Sequence, residues 1–281
     1  MAGPLTVAGI FAHPDDETWA LGAVFAVLVP AGVRGAVWTA TRGQAGEIAD
    51  GSGATRETLP RIREAEERAA MRTVGVEHVE FGEFIDGEVA QVEPGALIHA
   101  VGEFLEQELP DVVVTMEPGG VTAHPDHMAV SRAVQAAFVS YAARRRARDP
   151  RLYYWGVPKS ELERYRELGR AAGIQLPGED DPFGPRGTPD EQFTCWVETA
   201  ATAGHAWRAL QEHRTQAGDP AWTLLLHDDQ WREVFARAAF VRVRPMPQPG
   251  DTPESSLVEA FAAPGQPVAA GSRAADPGAS G

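Results

Sequence analysis

Residues 5–12 (LTVAGIFA) carry one polar side chain, and the next five residues are His13, Pro14, Asp15, Asp16 and Glu17. A near-continuous apolar run of that length suits a strand buried on both faces, as in parallel sheets covered by helices. The abrupt change to HPDDE marks a strand end where polar side chains collect. Three further runs have strand character: residues 33–40 (VRGAVWTA), 77–81 and 111–116 (DVVVTM). Between them, residues 18–29, 56–74 and 95–109 are long enough and suitably periodic for helices. Residues 61–74 set charges against Ala, Met and Val at helical spacing and stop before Gly75. Another helix is expected from Pro125 to about residue 148, with Arg144, Arg145 and Arg146 forming a solvated end. This β-α-β-α order predicts an α/β fold, a Rossmann-like, mostly parallel sheet with helices on both faces.

Past residues 153–157, a Gly/Pro/acid-rich stretch over 173–190 reads as a long loop, either a lid over a site or a surface excursion. Helical patterns resume at 199–216 and 229–239, and residues 240–244 suit a last strand. From residue 245 onward Pro, Gly, Ala and Ser dominate. The expected organisation is therefore a single α/β domain over residues 1–245 and a disordered tail over 246–281. The net charge, 25 − 40 = −15, argues against nucleic acid or an anionic membrane as partner. No segment reaches the roughly 18 apolar residues needed to span a bilayer, and no basic region precedes the first apolar run. The chain reads as cytoplasmic. Cys195 is the only cysteine, which excludes an intrachain disulfide and a thiolate metal cluster. Lying before Trp196 in an apolar run, it is expected as a small core residue.

Of the eight histidines, two precede proline, and both pairs continue with aspartate: His13-Pro14-Asp15-Asp16-Glu17 and His124-Pro125-Asp126-His127. The first follows the first expected strand directly, and the second follows the fourth through a Gly-rich turn. In a doubly wound sheet ordered 3-2-1-4, strands one and four are neighbours, and ligands bind where strand order reverses, at their carboxyl ends. The two motifs would then meet. Proline favours an extended residue before it and suits the first turn of a helix. His124 and His127, at i and i+3, can face the same way. Two imidazoles and a carboxylate are a familiar ligand set for catalytic zinc, leaving an Asp and a His to serve as base and acid. Taken singly, Asp15 and Asp16 could simply cap a helix and His124 could be a turn residue. Two such motifs at adjacent strand ends favour a metal site. The first turn lacks GxGxxG, so dinucleotide binding is not expected.

At these residues the sequence resembles the PIG-L/LmbE-like family of zinc-dependent N-deacetylases, whose signatures AHPDDE and HPDH stand unbroken at residues 12–17 and 124–127. Weaker similarity extends over roughly residues 5 to 216. The resemblance implies that His13, Asp16 and His127 bind Zn2+, with another divalent ion such as Fe2+ as an alternative. It makes Asp15 the general base and His124 the group that stabilises the oxyanion and helps protonate the departing amine, with Asp126 orienting the His124 ring. Arg63, Asp86 and His213 match family positions that contact substrate. Read without the family, Arg63 suits an exposed helix charge, Asp86 before Gly87 suits a turn former as well as a binding residue, and His213 suits helix-face packing as well as a pocket. Thr122 stands where some relatives carry a tyrosine, so any oxyanion donor from that position must come from elsewhere.

Three functions follow. The first is a hydrolase removing the N-acetyl group from a small-molecule N-acetylglucosamine-type conjugate by metal-activated water. The second is an amidase cleaving a larger N-acyl group of a thiol-conjugate or glycopeptide type, its pocket shaped by the 173–190 loop. The third, of another class, is a non-catalytic metal-binding or ligand-sensing protein, against which the retention of Asp15 and His124 speaks. Self-association into a homo-oligomer is left open.

Overall fold

The computed structural model describes residues 3–145, 147–173, 177–182, 184–216 and 228–262. Strands β1 (Thr6–Phe11), β2 (Arg34–Thr41), β3 (His78–Phe84), β4 (Val112–Met116) and β5 (Arg151–Trp155) pair in parallel. Strand β8 (Cys195–Glu198) and strand β9 (Arg237–Arg244) complete a seven-stranded sheet in the order β3-β2-β1-β4-β5-β9-β8. Only β9 runs against its neighbours, pairing antiparallel with both β5 and β8. A two-stranded pair, β6 (Val157–Pro158) with β7 (Gly187–Thr188), lies apart. The 3-2-1-4 order and the Rossmann-like class are those read from the apolar runs.

Alternation along the strands sorts the core into two layers. Val7, Phe11, Val37, Val79, Val112 and Val114 face helices α1 (Asp16–Leu28) and α2 (Leu59–Thr73). Ala8, Ile10, Ala36, Trp38, Val113 and Leu152 face α3 (Pro94–Glu108) and α5 (Pro125–Arg144), which follows a short helix α4 (Gly120–Ala123). Every residue of β1 is buried because both layers close on it. Helix α1 is buried almost all round for the same reason: the sheet covers one side and α7 (Ala203–Gln211) the other, with Gly22 against Ala206. A third apolar cluster joins α7 to α6 (Lys159–Ala171) and α8 (Asp228–Val234) around Trp207, Trp231 and Phe235.

Several expected boundaries move. The helix expected over 229–239 stops at Val234, and residues 237–239 belong to β9 because they pair with Glu198, Val197 and Trp196. Sheet pairing with β8, itself unforeseen, overrides the local helical pattern. The helix expected over 199–216 is the shorter α7, followed by a 3-10 turn at Arg214–Gln216. Helix α6 was not foreseen either. The disordered tail does not begin at 246. Trp196 donates to the Glu254 carbonyl and Glu254 donates to the Thr194 carbonyl, both at 2.8 Å. Leu257 is fully buried in the α1/α2 layer. Backbone pairing along the β8 edge and the buried Leu257 and Val258 thus hold residues that composition assigned to solvent; residues 263–281 of the expected tail lie outside the described residues. Cys195 is buried, as expected.

Candidate metal centre and active site

Three loops at the carboxyl end of the sheet converge on His13, carrying Asp16, Asp86 and the residues 124–127. The first is the β1–α1 turn. Ala12 and His13 donate their amides to Asp16 Oδ2 (3.2 and 3.0 Å), so the helix start clamps the strand end. Between them Asp15 takes φ 116°, a conformation costly for a residue with a Cβ. It is held there from several sides. Its amide donates to Glu17 Oε2 (2.9 Å), and its carbonyl accepts from Thr18 and Trp19.

The second motif arrives from β4. Glu117 accepts from the amides of Gly119 and Val121, folding the turn so that the Gly120 carbonyl meets His127 Nδ1 at 2.9 Å. Gly120 has φ 76°, and a Cβ there would sit 3.0 Å from His127 Cβ. His124 caps α5: its Nδ1 accepts from the Asp126 amide at 3.2 Å, with Pro125 in the first turn. Ser131 ties the same helix to the end of β4 through the Met116 carbonyl.

The two motifs meet. His13 Nδ1 lies 3.1 Å from His127 Nε2, and the Asp16 carboxylate completes the group, Oδ1 3.4 Å from His127 Nε2 and Oδ2 3.8 Å from His13 Nδ1. These separations resemble the ~3.3 Å between donors around a tetrahedral ion with bonds near 2.0–2.1 Å. The second nitrogen of each ring decides what the facing pair can hold. His127 Nδ1 donates to the Gly120 carbonyl, which leaves Nε2 a lone-pair acceptor. His13 Nε2 faces two carboxylates, Asp86 Oδ1 at 3.0 Å and Asp126 Oδ2 at 3.4 Å, so in the neutral ring the proton stays there and Nδ1 is an acceptor too. Two acceptors 3.1 Å apart beside a carboxylate require a shared cation, a proton or a metal ion. The donor set therefore fits a divalent ion. The His124 ring centroid is 4.7 Å from that of His13 and 5.0 Å from that of His127, and the three imidazoles also form a candidate donor group.

Electrostatics follow the same geometry. Burial works against a charge on His13, but the hydrogen bonds to Asp126 and Asp86 and the nearby Asp16 carboxylate overcome it and raise its pKa to about 10. Metal binding and proton loss are thus one event at this ring. Burial and then the His13 charge push His127 and His124 down to about 4, so both are neutral near pH 7. Burial raises the Asp86 carboxyl, but the hydrogen bond and charge of His13 outweigh it and hold it at about 2. Burial also lifts Asp15, Arg63 opposes it, and the result is about 6.

The remaining expected site residues sit behind this centre. Arg63 is buried, not an exposed helix charge, and not turned to a ligand: it donates to the Pro14 carbonyl, to Asp15 Oδ2 (3.2 Å) and to the Gly43 carbonyl (3.1 Å). Gly43 must lack a side chain, because a Cβ there would fall 2.1 Å from the guanidinium. Asp86 spends one oxygen on His13 and the other on the Ala45 amide (2.9 Å), so it braces a ring. The Asp126 carboxylate braces His13 and not His124, and accepts from the Gly87 and Ala90 amides. Only its amide meets the His124 ring. His213 is buried against Thr18 Oγ1 (3.1 Å) and Glu17 Oε1 (3.3 Å). Glu17, within the first motif, has a role that the sequence pattern does not signal. It is fully buried, links His213 to the Asp15 amide, and its pKa is lowered because the His213 hydrogen bond and charge outweigh burial. A cavity opens on Asp15, Asp16, His127 and Thr122, and Pro177 and Pro185 of the 173–190 loop help line it.

Residues 9–138 match the PIG-L family model, described as GlcNAc-PI de-N-acetylase. The chain is 31% identical to a 1D-myo-inositol 2-acetamido-2-deoxy-alpha-D-glucopyranoside deacetylase of Geodermatophilus obscurus, over 84% of this chain and 90% of the relative. It is 27% identical to the enzyme of that name from Kribbella flavida, over 86% and 92%. Among solved structures, the N,N'-diacetylchitobiose deacetylase of Pyrococcus horikoshii superposes with a TM-score of 0.57 at 18% identity, covering 87% of each chain. A conserved protein from Thermus thermophilus gives 0.59 at 22%, covering 88% of this chain and 98% of that one. At those identities the structural likeness concerns the fold.

Proposed function

Since this chain belongs to the PIG-L family, we propose that it is a metal-dependent hydrolase that removes the N-acetyl group from an N-acetylglucosamine-type conjugate. The observation that carries this reading is the convergence of His13 Nδ1 and His127 Nε2, 3.1 Å apart, with the Asp16 carboxylate from two distant loops. Named deacetylases of acetamido sugars among the relatives supply the substrate class.

His13, Asp16 and His127 would hold the ion. Zinc suits two imidazoles and a carboxylate with an open position, and Fe2+ is compatible with the same donors. When bound, such an ion polarises the amide carbonyl and makes water acidic enough to react near neutral pH. Asp15 has the place and the basicity of the general base: ionised at pH 7, yet lifted to about 6, it takes the proton of the attacking water. Arg63 and the Glu17 contact fix its orientation. His124 accepts the Asp126 amide at Nδ1, so the proton of its neutral ring sits on Nε2. From there it donates a hydrogen bond to the developing oxyanion, and Asp15 passes the proton it took from the water to the departing nitrogen. The carbonyl carbon gains the water oxygen, the C–N bond breaks, and the nitrogen leaves protonated; the products are the free amine and acetate. No nucleophilic Ser or Cys is needed, and Cys195 is buried in the α1/α2 layer of the sheet core.

Amine release from N-acetylglucosamine conjugates, measured with metal supplied and with metal chelated, tests the proposal. Turnover that vanishes on chelation and returns with Zn2+ or Fe2+ is expected. Turnover that survives chelation would overturn it. Among the described residues no helix is long and apolar enough to cross a membrane, which fits a small-molecule substrate met in water.

A further inference from the structure

The cavity beside the metal centre holds far more than an acetyl group. Asp15, Asp16 and His127 line one end of it, and it encloses ≈ 320 Å³. About 150 Å³ is enough to hold benzene, so the space takes an aromatic ring besides the acetamide. Its walls are apolar and largely aromatic, with Trp19, Met116, Trp155, Leu162, Tyr165 and Phe235 among them.

We propose that this cavity is a subsite for an apolar aglycone, and that the preferred substrates are N-acetylglucosaminides of an aryl or alkyl alcohol. The inference rests on the hydrolase reading above and names what the amino sugar carries. An acetyl group adds one methyl beyond the carbonyl, so an N-acetyl substrate leaves the remaining volume to its amine half. That half is the sugar and its aglycone. Sugar hydroxyls need hydrogen-bond partners once they leave water. Asp15, Asp16, Thr122 and His127 offer them from the two loops that build the metal centre. The sugar therefore stays at that end, and the aglycone lies against the aromatic wall.

Away from the metal centre the polar side chains of the wall are already engaged. Tyr165 donates to the Val234 carbonyl and Thr199 to the Phe235 carbonyl. Glu161 and Arg237 pair with each other at 3.5 Å, and the Arg237 guanidinium also lies over the Trp196 ring, 4.0 Å from its centre. A second sugar or a polyol in this part of the cavity would keep hydroxyls without partners, which is costly. An aryl or alkyl group asks for none of these groups and gains by leaving water.

The test measures amine release from N-acetylglucosaminides, both anomers, with methyl, glyceryl, phenyl or naphthyl as aglycone. Burial of a phenyl ring is worth roughly ten- to a hundredfold, so kcat/KM is expected to rise by at least about tenfold from methyl to aryl. The rise is expected mainly in KM, because the aglycone is held alike before and during the reaction. Glyceryl, which is polar, is expected to give no such rise. Trp155→Leu, which takes an aromatic face from the wall, is expected to lower the aryl-to-methyl ratio. An aryl-to-methyl ratio at or below one in the native enzyme, or a glyceryl glycoside that matches the aryl ones, overturns the proposal. Release of no amine from any member removes the hydrolase reading itself, so the two failures are distinct. Binding is read separately, without turnover or variants. Phenyl glucoside, which has no amide, is expected to inhibit at concentrations at least tenfold below methyl glucoside. Equal inhibition by the two counts against the subsite.

Discussion

The clearest lesson at the level of single residues concerns who holds His13. Asp86 and Asp126 both face its Nε2, and together they fix which nitrogen turns to the metal. Partners of this kind on a ligand ring are typically worth 10- to 100-fold in metal affinity. Asp86→Asn is therefore expected to weaken metal binding by about that factor in a chelator-competition titration, with turnover largely recovered at saturating metal. Unchanged affinity would show that Asp86 does not brace the ring. Behind Asp15, His213→Ala leaves the buried Glu17 carboxylate without its ion partner, which costs about 3–5 kcal/mol when such a pair is broken. Chemical denaturation measures that loss, and a loss under about 1 kcal/mol would mean that solvent reaches Glu17. The sequence made AHPDDE and HPDH legible because the residues that carry the chemistry are adjacent in the chain. It could not show that Arg63, Asp86 and His213 turn inward, since their partners come from other loops. Gly43 was the available clue for Arg63: a glycine three residues past Ala40 leaves the room that a guanidinium fills.

Among the elements, β1, β2 and β4 were readable because strands buried on both faces must be almost wholly apolar. Strand β8 and the first three residues of β9, whose remainder was expected as the last strand, escaped for the opposite reason. They are partly exposed, and β9 is set by antiparallel pairing with β5 and β8 and not by its own pattern. Helix α6 (KSELERYRELGRA) is mostly polar and buries little besides Leu162 and Gly169, so its apolar signal in the sequence is weak. The segment after β9 was misjudged because a few anchors suffice to order a Pro/Gly-rich stretch. Leu257 is one of them, with no exposed surface. Leu257→Ala is expected to cost about 2–5 kcal/mol, the range for a fully buried leucine. Urea denaturation checks it, and a change within about 0.5 kcal/mol would place that segment in solvent.

For the molecule as a whole, topology turns two short motifs into one site. Strands β1 and β4 are neighbours, paired through Val7 and Val112, although a long stretch of chain separates them. That adjacency follows from the 3-2-1-4 order and brings His13 to His127 across 114 residues. An ion gripped by both loops binds the folded chain and not the unfolded one. At a hundred times its dissociation constant it is expected to add about 2.7 kcal/mol of stability, visible as a rise in melting temperature that a chelator reverses. The decisive measurement pairs metal content with amine release in three proteins: native, Asp15→Asn and His127→Ala. One ion per chain in the native protein and in Asp15→Asn, amine from the native protein alone, and loss of the ion from His127→Ala is the expected result. An His127→Ala protein that keeps its ion at native affinity, or an Asp15→Asn protein that loses it, would contradict a centre built by two loops around one ion with Asp15 left free as the base.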